Sequence, residues 1–192
     1  MKIKKIIGLI GCFTYSIVGF SQQKLAVHEV GFSANLDLGY GLLYKTGKPN
    51  SLFRLKTLFF TGEISNSAGL TESAYGVGFS LGTEFRKKIM GELAFVYGFD
   101  LGLNYNITSY NNQIDPEQLT LMISPNVNLV IGLNYKLKEC WVFSVELMPY
   151  LSYDIQSIYA DLKELKKFTT IHYGLSLSHV QFGVAYRFSK SK

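Results

Sequence analysis

The sequence predicts an all-β fold, an eight-stranded antiparallel up-and-down transmembrane β-barrel. Three observations carry that expectation. Long stretches of the 192-residue chain alternate large apolar with small residues at period two. Charged residues make up only 17%, below the roughly 25% typical of soluble domains. Aromatics reach 15% and Gly numbers 18, while Pro (4) and Cys (2) are scarce. Scarce Cys argues against a disulfide scaffold, and the apolar content argues against a disordered chain.

The first segment reads as an address. Lys2, Lys4 and Lys5 form a basic start, an apolar run extends from Ile6 to Phe20, and Gly19 and Ser21 occupy the small positions before Gln22. This is the pattern of a secretory signal peptide, residues 1–21, cleaved near Ser21. Leu9-Ile10-Gly11-Cys12 offers a competing lipoprotein reading. Only a short apolar run precedes that Cys, and the residues after it stay apolar where a tether should be polar. Removal of 1–21 leaves 22–192 as one barrel domain with 16 Lys+Arg against 14 Asp+Glu, a net +2. The pI of 9.1 therefore owes much to the leader, and no nucleic-acid partner is expected. Cys140 is then the lone thiol.

The remainder alternates. In 75–85, Tyr75, Val77, Phe79, Leu81, Thr83 and Phe85 share one parity, and Gly76, Gly78, Ser80, Gly82 and Glu84 share the other. The segments 93–107, 121–137 and 141–155 repeat the pattern. Successive strand side chains point to opposite faces, so each segment is a strand with one apolar face. The predicted strands run well beyond the usual 5–6 residues. A soluble barrel would carry Lys, Glu and Thr on its outer face. Here the second face carries Gly, Ser, Ala and Asn with an occasional charge, which suits a cramped lumen, while the large apolar side chains suit acyl chains. Pro125 and Pro149 fall on the apolar parity inside predicted strands. Each removes a ladder donor, which predicts bulges or strand ends there.

Loop lengths order the strands. Short connections fall near 46–50, 88–92 and 138–140, and long ones at 65–73, 108–118 and 157–168. Membrane barrels place short turns on the periplasmic side and long loops outside. That predicts strands at 51–64, 74–87, 92–107, 119–137, 141–156 and 169–188. The parity of the last strand slips between Leu177 and Val180, which predicts a bulge near Ser178–His179. An even strand count makes 28–45 a hairpin with a tight turn near Asp37–Gly39, although its unbroken parity also permits one strand. The spacing of Ile158, Leu162 and Leu165 predicts a short external helix in 157–168, and its lysines could meet lipopolysaccharide phosphates or a partner. The 108–118 loop is expected to be polar and mobile.

The segment from Gly82 through Arg86-Lys87-Lys88, a turn, and Leu93 to Tyr105 resembles the small outer-membrane β-barrel proteins of Bacteroidota. Gly132-Leu-Asn-Tyr-Lys136 followed by Phe143-Ser-Val-Glu146, and the ending Gln181 to Phe188, resemble them too. The ending is also similar to the C-terminal assembly signal of outer-membrane proteins, although Ser189–Lys192 follow its closing Phe. The resemblance covers roughly 28–188. It implies an OmpA/OmpX-type barrel in the cell outer membrane, contacts with outer-membrane lipids and lipopolysaccharide, assembly through the last strand, and a family in which most members have no assigned activity.

Chemistry is sparse. His28, His172 and His179 lack metal-ligand spacing, and no nucleophile or phosphate-binding motif is present. His172 shares the parity of Gly174 and Ser176 and is expected to face the lumen, where a lipid-modifying His–Ser pair would be useless. No enzyme activity, cofactor or metal is expected, and the protein should be a monomer. Glu84, Arg86, Asp100, Lys136, Glu146 and Arg187 fall on the small-residue parity and form a candidate lumen charge network. Glu146 and Arg187 lie on neighbouring strands, so they are candidates to pair. Unpaired burial of charge costs several kcal/mol, so these groups should plug the lumen rather than line a channel. A structural or binding role through external loops follows, with a small passive pore or a lipid-modifying enzyme as alternatives. Tyr44, Phe85, Tyr105, Tyr135, Trp141, Tyr153 and Tyr186 are candidate interfacial girdles.

Overall fold

The structure is a computed structural model that describes residues 26–35, 40–57, 61–67, 70–112, 118–138, 140–160, 163–175 and 179–189. The expected signal peptide with its cleavage site, Cys12, the turn at Asp37–Gly39, Ser176 and Ser178 lie outside the described residues.

The strands in chain order are β1 (Val27–Asn35), β2 (Tyr40–Lys48), β3 (Ser51–Thr57), β4 (Thr61–Ser67), β5 (Leu70–Met90) and β6 (Leu93–Asn112). They continue with β7 (Gln118–Leu137), β8 (Trp141–Leu147), β9 (Tyr150–Ala160), β10 (Lys163–Gly174) and β11 (Val180–Ser189). Antiparallel pairing runs β1–β2–β3–β5–β6–β7–β8–β11 and returns from β11 to β1. Eight strands thus close an up-and-down barrel. The closing seam is long, from Val27 opposite Ser189 to Asn35 opposite Gln181.

Region 28–45 is the hairpin rather than one strand, since β1 pairs β2 from Val27 opposite Gly47 to Ala34 opposite Tyr40. Three of the expected strands are each split in two. Thr57 pairs Phe79 and Thr61 pairs Gly76, so β3 and β4 spend one residue more than β5 does between these pairs. Pro149 ends a strand as expected: β8 stops at Leu147 and β9 starts at Tyr150. Both halves keep the same register on β7, where Leu129 N donates to Pro149 O at 2.8 Å. Opposite this break the last strand also parts, because Gly174 pairs Tyr150 while Val180 pairs Leu147. The chain spends five residues there against two. An odd surplus inverts the parity, which accounts for the slip in the sequence, but the interruption is larger than the single-residue bulge expected.

Pro125 departs from expectation. It makes neither a bulge nor a strand end, and β7 runs through it with Leu103 opposite. Its missing donor is absorbed on the β9 side, where the ladder skips from Ile123–Ile155 to Asn126–Ser152 without a change of register.

The predicted long loops are corrected most. Much of 65–73, 108–118 and 157–168 is strand: β4 and β5 pair out to Ser67–Leu70, β5 and β6 out to Leu70–Asn112, and β9 and β10 out to Ala160–Lys163. The expected helix in 157–168 is therefore a β-hairpin with a register irregularity between Glu164 and Lys166. The helical spacing of three apolar residues is a weak signal, and edge pairing along β9 outweighs it. Above the apolar belt, Thr, Ser, Tyr and Asn continue the ladders without alternating hydrophobicity, so these extensions read as loops.

The faces are inverted relative to a soluble protein. Outward side chains such as Phe32, Phe79, Tyr97, Leu129, Val145 and Phe182 are exposed. Inward ones include buried Leu43, Leu52, Val96, Val130 and Val142 alongside buried charges. An apolar wall around a polar interior is the arrangement a bilayer demands. The tight turns at Pro49–Asn50, Gly91–Glu92 and around Lys138 lie at the end that also holds Val27 and Ser189. Gly91 and Lys138 take left-handed backbone (φ 52° and 49°), as tight turns require. Phe85, Tyr97 and Phe95 stack at this end with centroids 5.5 and 6.1 Å apart, and Trp141 meets Tyr186 edge-on at 5.4 Å. Tyr105 and Tyr153 lie toward the opposite rim.

The seam depends on Gly31. A Cβ there would lie 2.1 Å from Val184 O and 2.5 Å from Ala185 Cα. Gly31→Val should lower barrel stability by about 1–3 kcal/mol, read as a lower urea midpoint for the fast-migrating folded band on gels of unboiled protein. An unchanged midpoint would contradict the seam packing.

Candidate functional site

Eight ionisable side chains are buried in the middle of the lumen: Glu29, Lys45, Arg54, Lys56, Glu84, Arg86, Asp100 and Glu146. They come from six strands, with β3 and β5 each giving two. Inward parity places each of them, since they alternate with outward Val30, Tyr44, Phe53, Leu55, Phe85, Leu101 and Val145.

Glu84 is the hub. It accepts from Lys45 Nζ at 2.5 Å, Arg54 Nη1 at 3.2 Å, Arg86 Nε at 2.5 Å and Asn134 Nδ2 at 3.1 Å. Arg54 reaches three carboxylates, with Nη2 2.6 Å from Glu146 and Nε 3.1 Å from Asp100. Lys45 also lies 3.3 Å from Glu146, and Lys56 lies 3.1 Å from Asp100 and donates to Gln181 Oε1 at 2.7 Å. Toward the tight-turn end, Arg86 grips Glu29 with two bonds of 2.7 Å. Arg187, less buried, donates to the same carboxylate at 2.9 and 2.7 Å. Four buried cations thus meet four buried anions, and each charge has at least one opposite neighbour within 3.3 Å. Charges removed from water are tolerable only on such terms.

Glu84, Arg86, Asp100 and Glu146 therefore occupy one cluster. Arg187 joins it at the edge, but through Glu29 and not Glu146. The expected Glu146–Arg187 pair does not form because Glu146 faces Gln181 in the β8–β11 register, six residues along the strand from Arg187. Lys136 lies outside the cluster and meets Glu92 of the β5–β6 turn at 3.0 Å, with both side chains partly exposed. Glu29, Lys45, Arg54 and Lys56 were not singled out from the sequence. The same parity marks them: Arg54 and Lys56 alternate with Phe53 and Leu55, and Glu29 with His28 and Val30.

The cluster lies between two cavities. One of about 440 Å³ occupies the end away from the tight turns, and Lys56 and Gln181 reach it from below. The other, about 220 Å³, opens between Asn50, Arg86, Glu92, Lys136 and Arg187. His172 points to the inner face, where its Nε2 lies 3.3 Å from Asp154. His28 faces outward at the rim, stacked on Phe188 at 5.4 Å and bonded to Tyr44 at 2.9 Å. His179 stacks on Tyr150 at 4.1 Å. Beyond the belt, Tyr110 pairs across from Glu72. Burial and its hydrogen bond to Glu72 hold the Tyr110 hydroxyl above its ordinary pKa. No metal-ligand cluster occurs among the described residues, and no helix among them is long and apolar enough to cross a membrane. The chain crosses with strands.

A charged interior inside an apolar, closed antiparallel wall defines a membrane-spanning β-barrel. Comparison with solved structures agrees. The fold is similar to that of a major outer membrane protein from Thermus thermophilus, with a TM-score of 0.57, 13% identity, and coverage of 85% of this chain and 99% of that one. Two further structures are similar at lower scores. The N-terminal β-barrel domain of Pseudomonas aeruginosa OprF has a TM-score of 0.45 at 16% identity, covering 86% and 98%. Ail, the attachment invasion locus protein of Yersinia pestis, has a TM-score of 0.43 at 12% identity, covering 85% and 96%. No protein-family model matches the chain, and no curated protein matches it by sequence.

Removing one member of a compensated cluster should cost more than removing a neutral pair. Arg54→Met takes one of the cations from each of Glu84, Asp100 and Glu146 and should cost about 3–5 kcal/mol. The double variant Arg54→Met/Glu146→Met should cost less than the sum of the two single variants. Strict additivity in urea titrations would refute the coupling.

Proposed function

We propose that this chain is an integral outer-membrane protein, cleaved near Ser21, that serves as a rigid scaffold with a plugged lumen and presents its extended hairpins outside the cell. One observation carries this reading: the compensated charge cluster occupies the barrel between two separate cavities. Displacing those charges to admit an ion would break several buried pairs together. At the level of the cluster, eight strands leave room for little besides side chains.

The strand extensions supply the presenting surface. β4, β10 and the far ends of β5, β6, β7 and β9 continue past the ring of eight. Lys166 and Lys167 are exposed on β10, which suits them to lipopolysaccharide phosphates as point-charge partners. The last strand, ending in the alternating Phe182, Val184, Tyr186 and Phe188, is the segment for the assembly machinery to recognise. The motifs at 82–105 and 181–188 support reading the protein as one of the small outer-membrane barrels of Bacteroidota. The barrel is read as a monomer without enzyme activity. His172 engages Asp154 on the inner face, so it lends no support to a lipid-modifying reading.

Two measurements test the scaffold. In planar bilayers the purified protein should give no steady openings, and sustained nanosiemens conductance would establish the passive-pore alternative instead. On intact cells, a membrane-impermeant maleimide should label Glu164→Cys placed in a Cys140→Ser background. It should leave the wild-type Cys140, at the tight-turn end, unlabelled until the membrane is opened. Labelling in the reverse pattern would invert the orientation.

A further inference from the structure

We infer that the half of the lumen away from the tight turns is a binding site for a neutral, hydroxyl-rich ligand, a saccharide of one or two rings. This goes beyond the scaffold reading and needs only the barrel geometry.

The cavity of about 440 Å³ falls within the range of small-molecule sites. Its walls are amides and hydroxyls: Asn104, Asn126, Asn128, Ser124, Ser152 and Gln181 all line it. These are arrayed by register, with Asn104 opposite Ser124 and Asn126 opposite Ser152. Asn128 Nδ2 donates to Asn126 Oδ1 at 2.8 Å, and Asn126 Nδ2 donates to Ser124 O at 3.2 Å. Glycines give the amides their positions. A Cβ at Gly78 would lie 2.3 Å from Asn104 Oδ1, and one at Gly102 would lie 2.4 Å from Asn126 Oδ1. Two side chains at the cavity, Ser124 and Gln181, are at most 5% exposed, yet Ser124 Oγ and Gln181 Nε2 have no hydrogen-bond partner.

Charge decides the ligand class. Lys56 is engaged with Asp100 at the floor, while Asp154 at the side lies 3.3 Å from His172, a contact that neutralises it only when the imidazole is protonated, and Asp154 Oδ1 has no hydrogen-bond partner. No unpaired cation among the described lining residues is left to hold an anion, and the open Asp154 oxygen is one more acceptor for a ligand hydroxyl. Mixed donors and acceptors match hydroxyl groups, which both donate and accept. An aliphatic ligand would leave these polar groups unpaired, at a cost for each. The stacked Tyr150 and His179 rings also line the cavity and add a flat surface for the C–H face of a sugar ring.

The test is a titration of the folded full-length barrel in zwitterionic micelles, followed by the side-chain amide signals of Asn104, Asn126, Asn128 and Gln181. Maltose and N,N′-diacetylchitobiose are the neutral probes, and glucose 6-phosphate and glucosamine the charged ones. The neutral probes should shift these amides saturably at millimolar concentration. Asn126→Leu and, independently, Gly102→Ala should each weaken binding by about tenfold, as loss of one or two good hydrogen bonds implies. Gly102→Ala displaces only the end of a flexible side chain, so its barrel should still fold, as an unchanged gel shift would verify. Supplying maltose as the headgroup of a maltoside glycolipid separates the sources. Tighter binding of the tethered form assigns the site to a membrane glycolipid, and equal binding assigns it to a free saccharide. Absence of saturable shifts with both neutral probes, stronger shifts with a charged probe, or unaltered binding in both folded variants would overturn the inference.

Discussion

Hydrocarbon offers no partner to a backbone N–H or C=O, so every such group that crosses the bilayer must find one within the protein. The seam between β1 and β11 meets that demand, turning an open sheet with two edges into a ring. Most other features depend on it. A ring of eight strands is narrow, so its interior cannot hold bulk water around a charge. The side chains that face inward must then satisfy one another. Gly31 sits on the seam because a Cβ there would strike the facing backbone. The small residues across from Asn104 and Asn126 answer the same crowding.

Within that ring the charges divide the lumen. Glu84 and Arg54 are both fully buried and meet each other, yet neither is satisfied by one partner. Arg54 spans Glu84, Asp100 and Glu146, and Glu84 draws on three cations and an amide. The guanidinium suits this task because its planar array of donors can serve several carboxylates together. A cluster linked in this way rigidifies the barrel, and it partitions the interior into a basic mouth near Arg187 and an amide-lined chamber beyond Lys56. The first cavity borders the tight turns and the second borders the extended hairpins. The two ends of the molecule are thus chemically distinct as well as different in length.

Breaks in the strands follow a related logic. Pro149 cannot donate, and the ladder opens beside it between β8 and β9. The neighbouring strand opens at the same level, between Gly174 and Val180, and Met148 N donates to His179 O across the gap at 3.0 Å. Pro125 shows the opposite outcome. Its strand is held on both sides by long ladders, so the missing donor is skipped and the register survives. The same residue type thus ends one strand and leaves another unbroken, according to how much pairing surrounds it.

Period-two alternation in 75–85 and 93–107 determined that the chain forms long strands with one apolar face, and the small, polar second face determined that the apolar side meets lipid. The parity of Glu84, Asp100 and Glu146 placed them in the lumen, and that of Arg54 and Lys56 was equally readable. Tertiary structure decided which charges meet, because partners such as Lys45 and Glu146 stand 101 residues apart and meet only once the ring closes. It also decided that Arg187 serves Glu29, since the β8–β11 register holds it away from Glu146. The outer hairpins were illegible for a different reason. Outside the bilayer both faces of a strand can be polar, so Ser73, Thr108 and their neighbours carry no alternation. Only pairing with the adjacent strand shows that the barrel continues through them.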